Sequence, residues 1–181
     1  MIHTRTNQCS RSRGAFTLVE LMVVVLLMGI VAVTAIPAMG NVRTMREGAA
    51  RDDVARMLEV TKARALAMGS PCGLQINVSD STLTIVQLND SGDIESVTDP
   101  LTSKARALDL PATYPDVTVE SMVNGDGSAG SGVIWFDYEA NPHTRSSAGV
   151  FESINTESAT IELSSGQVVL VHPHTGVVEL Q

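Results

Sequence analysis

The apolar and polar positions of this chain fall into three unlike patterns. From Leu21 to Val42 no residue is charged, and most are Leu, Val, Ile, Met or Ala. A helix needs ~20 apolar residues to cross the hydrocarbon core of a bilayer, so this stretch predicts a membrane-spanning helix. After Asn41 the pattern turns amphipathic. Ala50, Val54, Met57, Leu58, Thr61, Ala65 and Met68 recur at steps of three and four and predict one buried helix face. Arg43, Arg46, Glu47, Arg51, Asp52, Glu59 and Lys62 lie largely elsewhere, as a solvated surface. Glu47 with Arg51, and Asp52 with Arg56, have the i,i+4 acid-to-base order that supports an exposed face. Gly69-Ser70-Pro71 ends the helix, a capping glycine followed by a proline. Unbroken from Phe16 to Met68, such a helix is ~80 Å long, half in the membrane and half packed on the C-terminal head.

Beyond Gly69 the period drops to two. Gly73 to Val78 and Thr82 to Leu88, joined by Ser79-Asp80-Ser81, predict a hairpin. Asn89 to Asp116 is polar, carries Pro100, Pro111 and Pro115, and predicts a long loop with at most a short strand or helical turn. Strands are expected at Val117–Met122 and Val133–Asp137, with the Gly-rich run Asn124–Gly132 between them. The segment from Tyr138 to about Glu157 reads as irregular. Ala159–Leu163, Gln167–His172 and Gly176–Leu180 then predict three close-set strands. The sum is an α+β fold: a long N-terminal helix packed on an antiparallel sheet of six or seven strands. The expected divisions are a leader at 1–15, a membrane and assembly helix at 16–40, an amphipathic stem at 41–69 and a β-rich head at 70–181.

Charge sharpens this division. The leader holds Arg5, Arg11 and Arg13 and no acid, whereas beyond Gly69 fifteen acidic residues stand against Lys104, Arg106 and Arg145. An acidic head with few aromatics repels phosphate backbones, so no nucleic-acid partner is expected. Of the two cysteines, Cys9 lies in the leader and Cys72 opens an apolar strand. Loss of the leader leaves Cys72 alone, without an internal disulfide, as a small buried residue.

A basic leader and an apolar run also suit a secretory signal peptide, with Ala32 to Ala35 as its cleavage site, or an uncut anchor. Neither accounts for Glu20. A carboxylate costs ~2.5–3.5 kcal/mol at the centre of a membrane helix, somewhat less near its end, and a passive anchor gains nothing from it.

The stretch Arg13-Gly14-Ala15-Phe16-Thr17-Leu18-Val19-Glu20-Leu21-Met22-Val23-Val24-Val25 resembles the prepilin signature of type IV pilins and type II secretion pseudopilins. The resemblance implies cleavage by a prepilin peptidase just before Phe16 and methylation of the new N-terminus. With Phe16 as first mature residue, Glu20 takes the fifth position, where the family carries Glu, and Gly29 and Pro37 take the fourteenth and twenty-second, where its members often carry Gly and Pro. The residue before the cut is usually Gly; here it is Ala15, after Gly14, and only cleavage between Ala15 and Phe16 keeps the register. By the same resemblance Glu20 pairs with the freed Phe16 amine of a neighbouring subunit. That amine is cationic near neutrality, with a reference pKa of ~7.7–8.0. The pair offsets part of the desolvation of both groups and sets the stagger of a helical bundle. Gly29 and Pro37 are expected to give the helix flexibility.

The rest of the chain is similar to the GspH/FimT family of minor pseudopilins and minor pilins. Ala63-Arg64-Ala65-Leu66-Ala67, Gln75-Ile76, Val133 to Phe136, Ile161-Glu162-Leu163 and Thr175-Gly176-Val177-Val178 carry that similarity. It implies a structural subunit of a type II secretion pseudopilus, near its tip, with other pilin or pseudopilin subunits and an inner-membrane assembly platform as partners. It also implies a single-pass inner-membrane protein with a cytoplasmic N-terminus and a periplasmic head. A minor type IV pilin, or a membrane-tethered binding module using loops 89–116 and 138–157, stays open beside it. DNA-binding relatives carry basic residues toward the C-terminus, and this chain has none after Arg145.

Other chemistry is thin. His172-Pro173-His174 lacks a third ligand and predicts a turn. Asn124, Asp126 and Ser128 have the alternating oxygen spacing of a calcium loop, without the later bidentate Glu of an EF-hand. No nucleophile elbow, phosphate loop or paired-Cys motif occurs. Neither an enzyme nor a cofactor is expected.

Overall fold

The computed structural model describes residues 17–146 and 148–181, without the side chains of residues 33–41 and 153. The leader, Cys9 and the residues flanking the expected cleavage, Gly14, Ala15 and Phe16, lie outside the described residues. The chain divides into two compact units, Met1–Val42 and Arg43–Gln181.

Helix α1 runs over Leu18–Met68, and its backbone stays helical through Gly29 and Pro37. In the first unit its apolar side chains from Leu18 to Val31 face outward on every side. In the second unit the three-and-four spacing buries Ala50, Val54, Leu58, Thr61 and Ala65 completely. Met68 departs from that face and is 59% exposed. It closes the helix beside Gly69, whose φ of +61° turns the chain away.

The ion pairs also differ from the expected set. Arg43 reaches Glu47 at 2.8 Å, Arg51 meets Asp52 at 3.2 Å, Arg56 meets Asp53 at 2.6 Å and Lys62 meets Glu59 at 3.0 Å. Glu47 with Arg51 and Asp52 with Arg56 are not among them. Asp53 is the reason for the second change. Tyr114 donates its hydroxyl to this carboxylate, which also draws Arg56 away from Asp52. Exposed pairs of this kind contribute ~0–1 kcal/mol each.

The class is α+β as expected, but the described residues form two antiparallel sheets. The hairpin of β1 (Cys72–Asn77) and β2 (Thr82–Leu88) lies where its alternation places it, with Ile76 opposite Leu83. Strand β6 (Gly132–Phe136) pairs with the other side of β1, and β7 (Pro142–Arg145) and β8 (Phe151–Ile154) extend the sheet. The outer side of β2 takes two short strands, β3 (Ile94–Ser96) and β4 (Ala107–Asp109). A single helical turn, α2 (Leu110–Thr113), comes next, its N-terminus capped by Asp109. The second sheet runs β11-β10-β9-β5, from β5 (Val119–Val123), β9 (Ala159–Leu163), β10 (Val168–Val171) and β11 (Val178–Leu180).

One hydrophobic cluster joins these parts. Ala50, Val54 and Leu58 of α1 lie with Leu74, Ile76, Ile134 and Phe136 of the larger sheet and Ile161, Leu163, Val169 and Val171 of the smaller one. The additional strands fall in segments predicted to be irregular. Strand β3 is exposed at every position, so no apolar alternation betrays it, and β7 is the polar run Pro142-His143-Thr144-Arg145. Pairing to a neighbouring strand, rather than local preference, makes both into sheet.

Candidate assembly site

The N-terminal end of α1 is built by Thr17 and Glu20. Thr17 Oγ1 accepts a hydrogen bond from the Glu20 backbone N–H at 3.3 Å. The Glu20 carboxylate reaches back and accepts from the Thr17 N–H at 2.9 Å and from its hydroxyl at 3.0 Å. This is a capping box, in which a threonine and a glutamate three residues on satisfy two helix-terminal donors that otherwise lack partners. Both returning bonds use Oε2 of Glu20, and a carboxylate has two oxygens. The carboxylate is exposed, among Leu18, Val19, Leu21 and Met22, which are exposed too.

Sequence reasoning singled out Glu20 and passed over Thr17. Its signal was present, because Thr-x-x-Glu immediately ahead of an apolar run is the sequence form of this cap. Gly29 has open space where a Cβ would stand. The side chain of Pro37 lies outside the described residues. Among the described residues no helix is long and apolar enough to cross a membrane. The uncharged run in the sequence continues to Val42, over side chains 33–41 that lie outside that description.

In the second unit the family-like segments converge on the junction of helix and sheets. Lys62 Nζ donates to the Gly176 carbonyl at 3.0 Å, tying α1 to the Thr175-Gly176-Val177 turn before β11. Arg64 Nη2 donates to Gln87 Oε1 at 3.1 Å, and Ala65 is fully buried one residue on. Cys72 is fully buried, and its burial pushes the thiol pKa up, partly countered by Arg64.

The two other candidate sites are turns held by their own hydrogen bonds. Asn124 Oδ1 accepts from Gly125 N–H at 2.9 Å, and its amide donates to the Val133 carbonyl at 3.3 Å. Asp126 Oδ1 accepts from Ser128 N–H at 2.8 Å and from its hydroxyl at 2.5 Å, and the hydroxyl bond lowers the Asp126 pKa. Pro173 and His174 lie in a turn, and His172 Nε2 sits 2.6 Å from Glu179 Oε2. Among the described residues no three of His, Cys, Asp and Glu gather as a metal site would require.

Residues 10–36 match the family model described as the prokaryotic N-terminal methylation motif. No curated protein matches the chain in sequence. The fold is similar to that of the minor pseudopilin EpsH from the type 2 secretion system of Vibrio cholerae. That likeness has a TM-score of 0.51 at 11% identity, over 75% of this chain and 94% of the other. A second structure of the same Vibrio cholerae pseudopilin aligns at 15% identity with a TM-score of 0.47, over 72% of this chain and 89% of the other. The methylation motif thus spans the start of α1 in a chain whose fold is similar to that of a minor pseudopilin.

Proposed function

We propose that this chain is a structural subunit of the type IV pilin class, a minor pseudopilin that polymerises into the pseudopilus of a type II secretion machine, near its tip. The observation that carries this is the placement of the methylation motif, residues 10–36, directly ahead of a fold like that of a minor pseudopilin. A prepilin peptidase cleaves between Ala15 and Phe16, and Phe16 is N-methylated. The apolar helix holds the chain in the inner membrane, N-terminus cytoplasmic and head periplasmic, until an assembly platform draws it into the filament. Gly29 and Pro37 supply helix flexibility for that extraction.

Glu20 is the recognition group. Its Oε2 is held by Thr17 within the chain, which fixes the carboxylate at the helix entrance and leaves Oε1 for the Phe16 amine of a neighbour. Two charges in a low-dielectric bundle are stabilised only where they meet, so the pair selects one stagger between subunits. The proposed role is structural and calls for neither catalysis nor a cofactor. The test is Glu20→Val in the native host, which should leave the subunit inserted and processed but absent from sheared filaments. Normal incorporation of that variant would refute the polymerisation role.

A further inference from the structure

His143 lies on β7 with both ring nitrogens against oxygen. Nδ1 is 2.9 Å from the Glu152 carbonyl of β8, and Nε2 is 3.1 Å from Asp137 Oδ2, just past β6. The His143 and Asp137 side chains are only 16% and 18% exposed. A carbonyl has no proton to give, and neither has an ionised carboxylate. Each contact therefore needs a proton on the imidazole. The neutral ring carries one and the imidazolium two.

The two acceptors belong to different parts of the head. Asp137 organises the turn between β6 and β7: its Oδ1 accepts from the Glu139 and Asn141 N–H groups at 2.8 Å each. The Glu152 carbonyl belongs to β8, the last strand of the larger sheet. His143 stands opposite Ile154 and Arg145 opposite Phe151, and the register shifts between these pairs. Such an irregularity disrupts the ladder locally, and the imidazole meets the Glu152 carbonyl inside it. Four charged groups lie near the ring, Asp137, Glu139, Arg145 and Glu152. Glu139 shares the Asn141 amide with Asp137. The Arg145 guanidinium lies over the Trp135 and Phe151 rings and donates to the Gly92 and Gly149 carbonyls. The Glu152 carboxylate lines a separate cleft with Asp126. Among the described residues, Asp137 is thus the charge that meets the ring directly.

We infer that His143 is a proton-operated coupling between the 137–141 turn and edge strand β8, closed when the ring carries two protons and open when it carries one. The neutral ring keeps Nδ1–H on the Glu152 carbonyl, which is fixed in the strand backbone. Asp137 loses least by letting go, because Glu139 and Asn141 still donate to it. The Nε2 lone pair then faces a carboxylate oxygen, and the turn is released from the strand. Histidine is the side chain whose charge ordinarily changes between about pH 5 and 8, so the coupling responds in that range. It is independent of the role proposed for Glu20.

The experiment uses the full-length chain in detergent micelles and two readouts. Trp135 is the single tryptophan and the cross-strand neighbour of His143, so its fluorescence follows the charge of the ring. Amide exchange, corrected for its intrinsic pH dependence, is read at Glu139 and Asn141 in the turn and at Leu74 in β1. From about pH 5 to 8, protection at Glu139 and Asn141 should fall several-fold along the same curve as the Trp135 signal. Leu74 should keep its protection. His143→Gln should hold the turn at one level at every pH. Asp137→Asn keeps an oxygen for the turn and brings an amide donor for Nε2, so it should also remove the fall. Turn protection that stays constant while the Trp135 signal titrates overturns the inference. An equal fall in His143→Gln, or at Leu74, does so too. The first of these outcomes needs only the unsubstituted chain, so a variant that fails to fold does not shield the inference.

Discussion

Lys62 and Gly176 are 114 residues apart in sequence, yet the ammonium of one donates to the carbonyl of the other at 3.0 Å. The bond fastens the stem helix to the last turn of the head. Gly176 is required there twice over. Its φ is +59°, and a Cβ on it would stand 2.5 Å from the Ala140 carbonyl oxygen. Gly176→Ala should therefore cost roughly 1–3 kcal/mol, from backbone strain and collision with a rigid neighbour. Lys62→Met keeps the aliphatic stem and loses the bond, for about 1 kcal/mol. Urea unfolding of both variants checks the order. Equal costs would mean that the turn tolerates a side chain.

Asp53 and Tyr114 make the matching tie on the other flank of the helix. The hydrogen bond to Asp53 is the main cause that pushes the Tyr114 pKa up to about 12 from 10.0. A folded pKa above the unfolded one stabilises the protein fully below the unfolded value and progressively less as pH rises through the folded value. Stability should thus decline between about pH 10 and pH 12. The contribution is under ~1 kcal/mol, because the pair is partly exposed and screened. Tyr114→Phe should flatten that part of the pH profile, measured by thermal melting. An unchanged slope would deny the bond its role.

Cys72 reports on the core. Its full burial and raised pKa leave little thiolate in reach of reagents at neutral pH. In a chain carrying Cys9→Ser, labelling by a maleimide should be slow in the folded protein and should accelerate at the same urea concentration at which the fold is lost. Prompt labelling without denaturant would place the thiol at the surface.

Thr17 has a separable part in the helix terminus. Thr17→Ala removes the Oγ1 that receives the Glu20 N–H, and loss of an N-cap side chain costs ~0.5–2 kcal/mol. Amide exchange at Glu20 should speed up several-fold in micelles, while Thr17→Ser retains protection. If Thr17→Ala and Thr17→Ser exchange alike, the capping box is not what holds Glu20 in place.

Much of this architecture was legible from pattern alone. The buried face Ala50, Val54, Leu58, Thr61 and Ala65 comes from helical spacing, and β1, β2 and β9 to β11 come from alternation. What escaped was decided by partners far off in sequence. Strands β3, β4, β7 and β8 are short pieces within the two long polar segments 89–116 and 138–157, where little apolar alternation marks them. The division into two sheets depends on pairings such as β5 with β9, which no local signal encodes. The tie between Asp53 and Tyr114 spans 61 residues, and it redirected Arg56 away from the neighbour that spacing favoured. At the functional end the outcome reverses. Glu20 was conspicuous as a charge in an apolar run, whereas Thr17 was overlooked although its offset from Glu20 is a local signature.

The role proposed for Glu20 needs a free amine at Phe16, and that amine exists only after cleavage. Intact mass and N-terminal fragmentation of the chain purified from its native membrane decide the matter. On that role the mature chain begins at Phe16 and carries one added methyl group. A functional chain that keeps its first fifteen residues would contradict it.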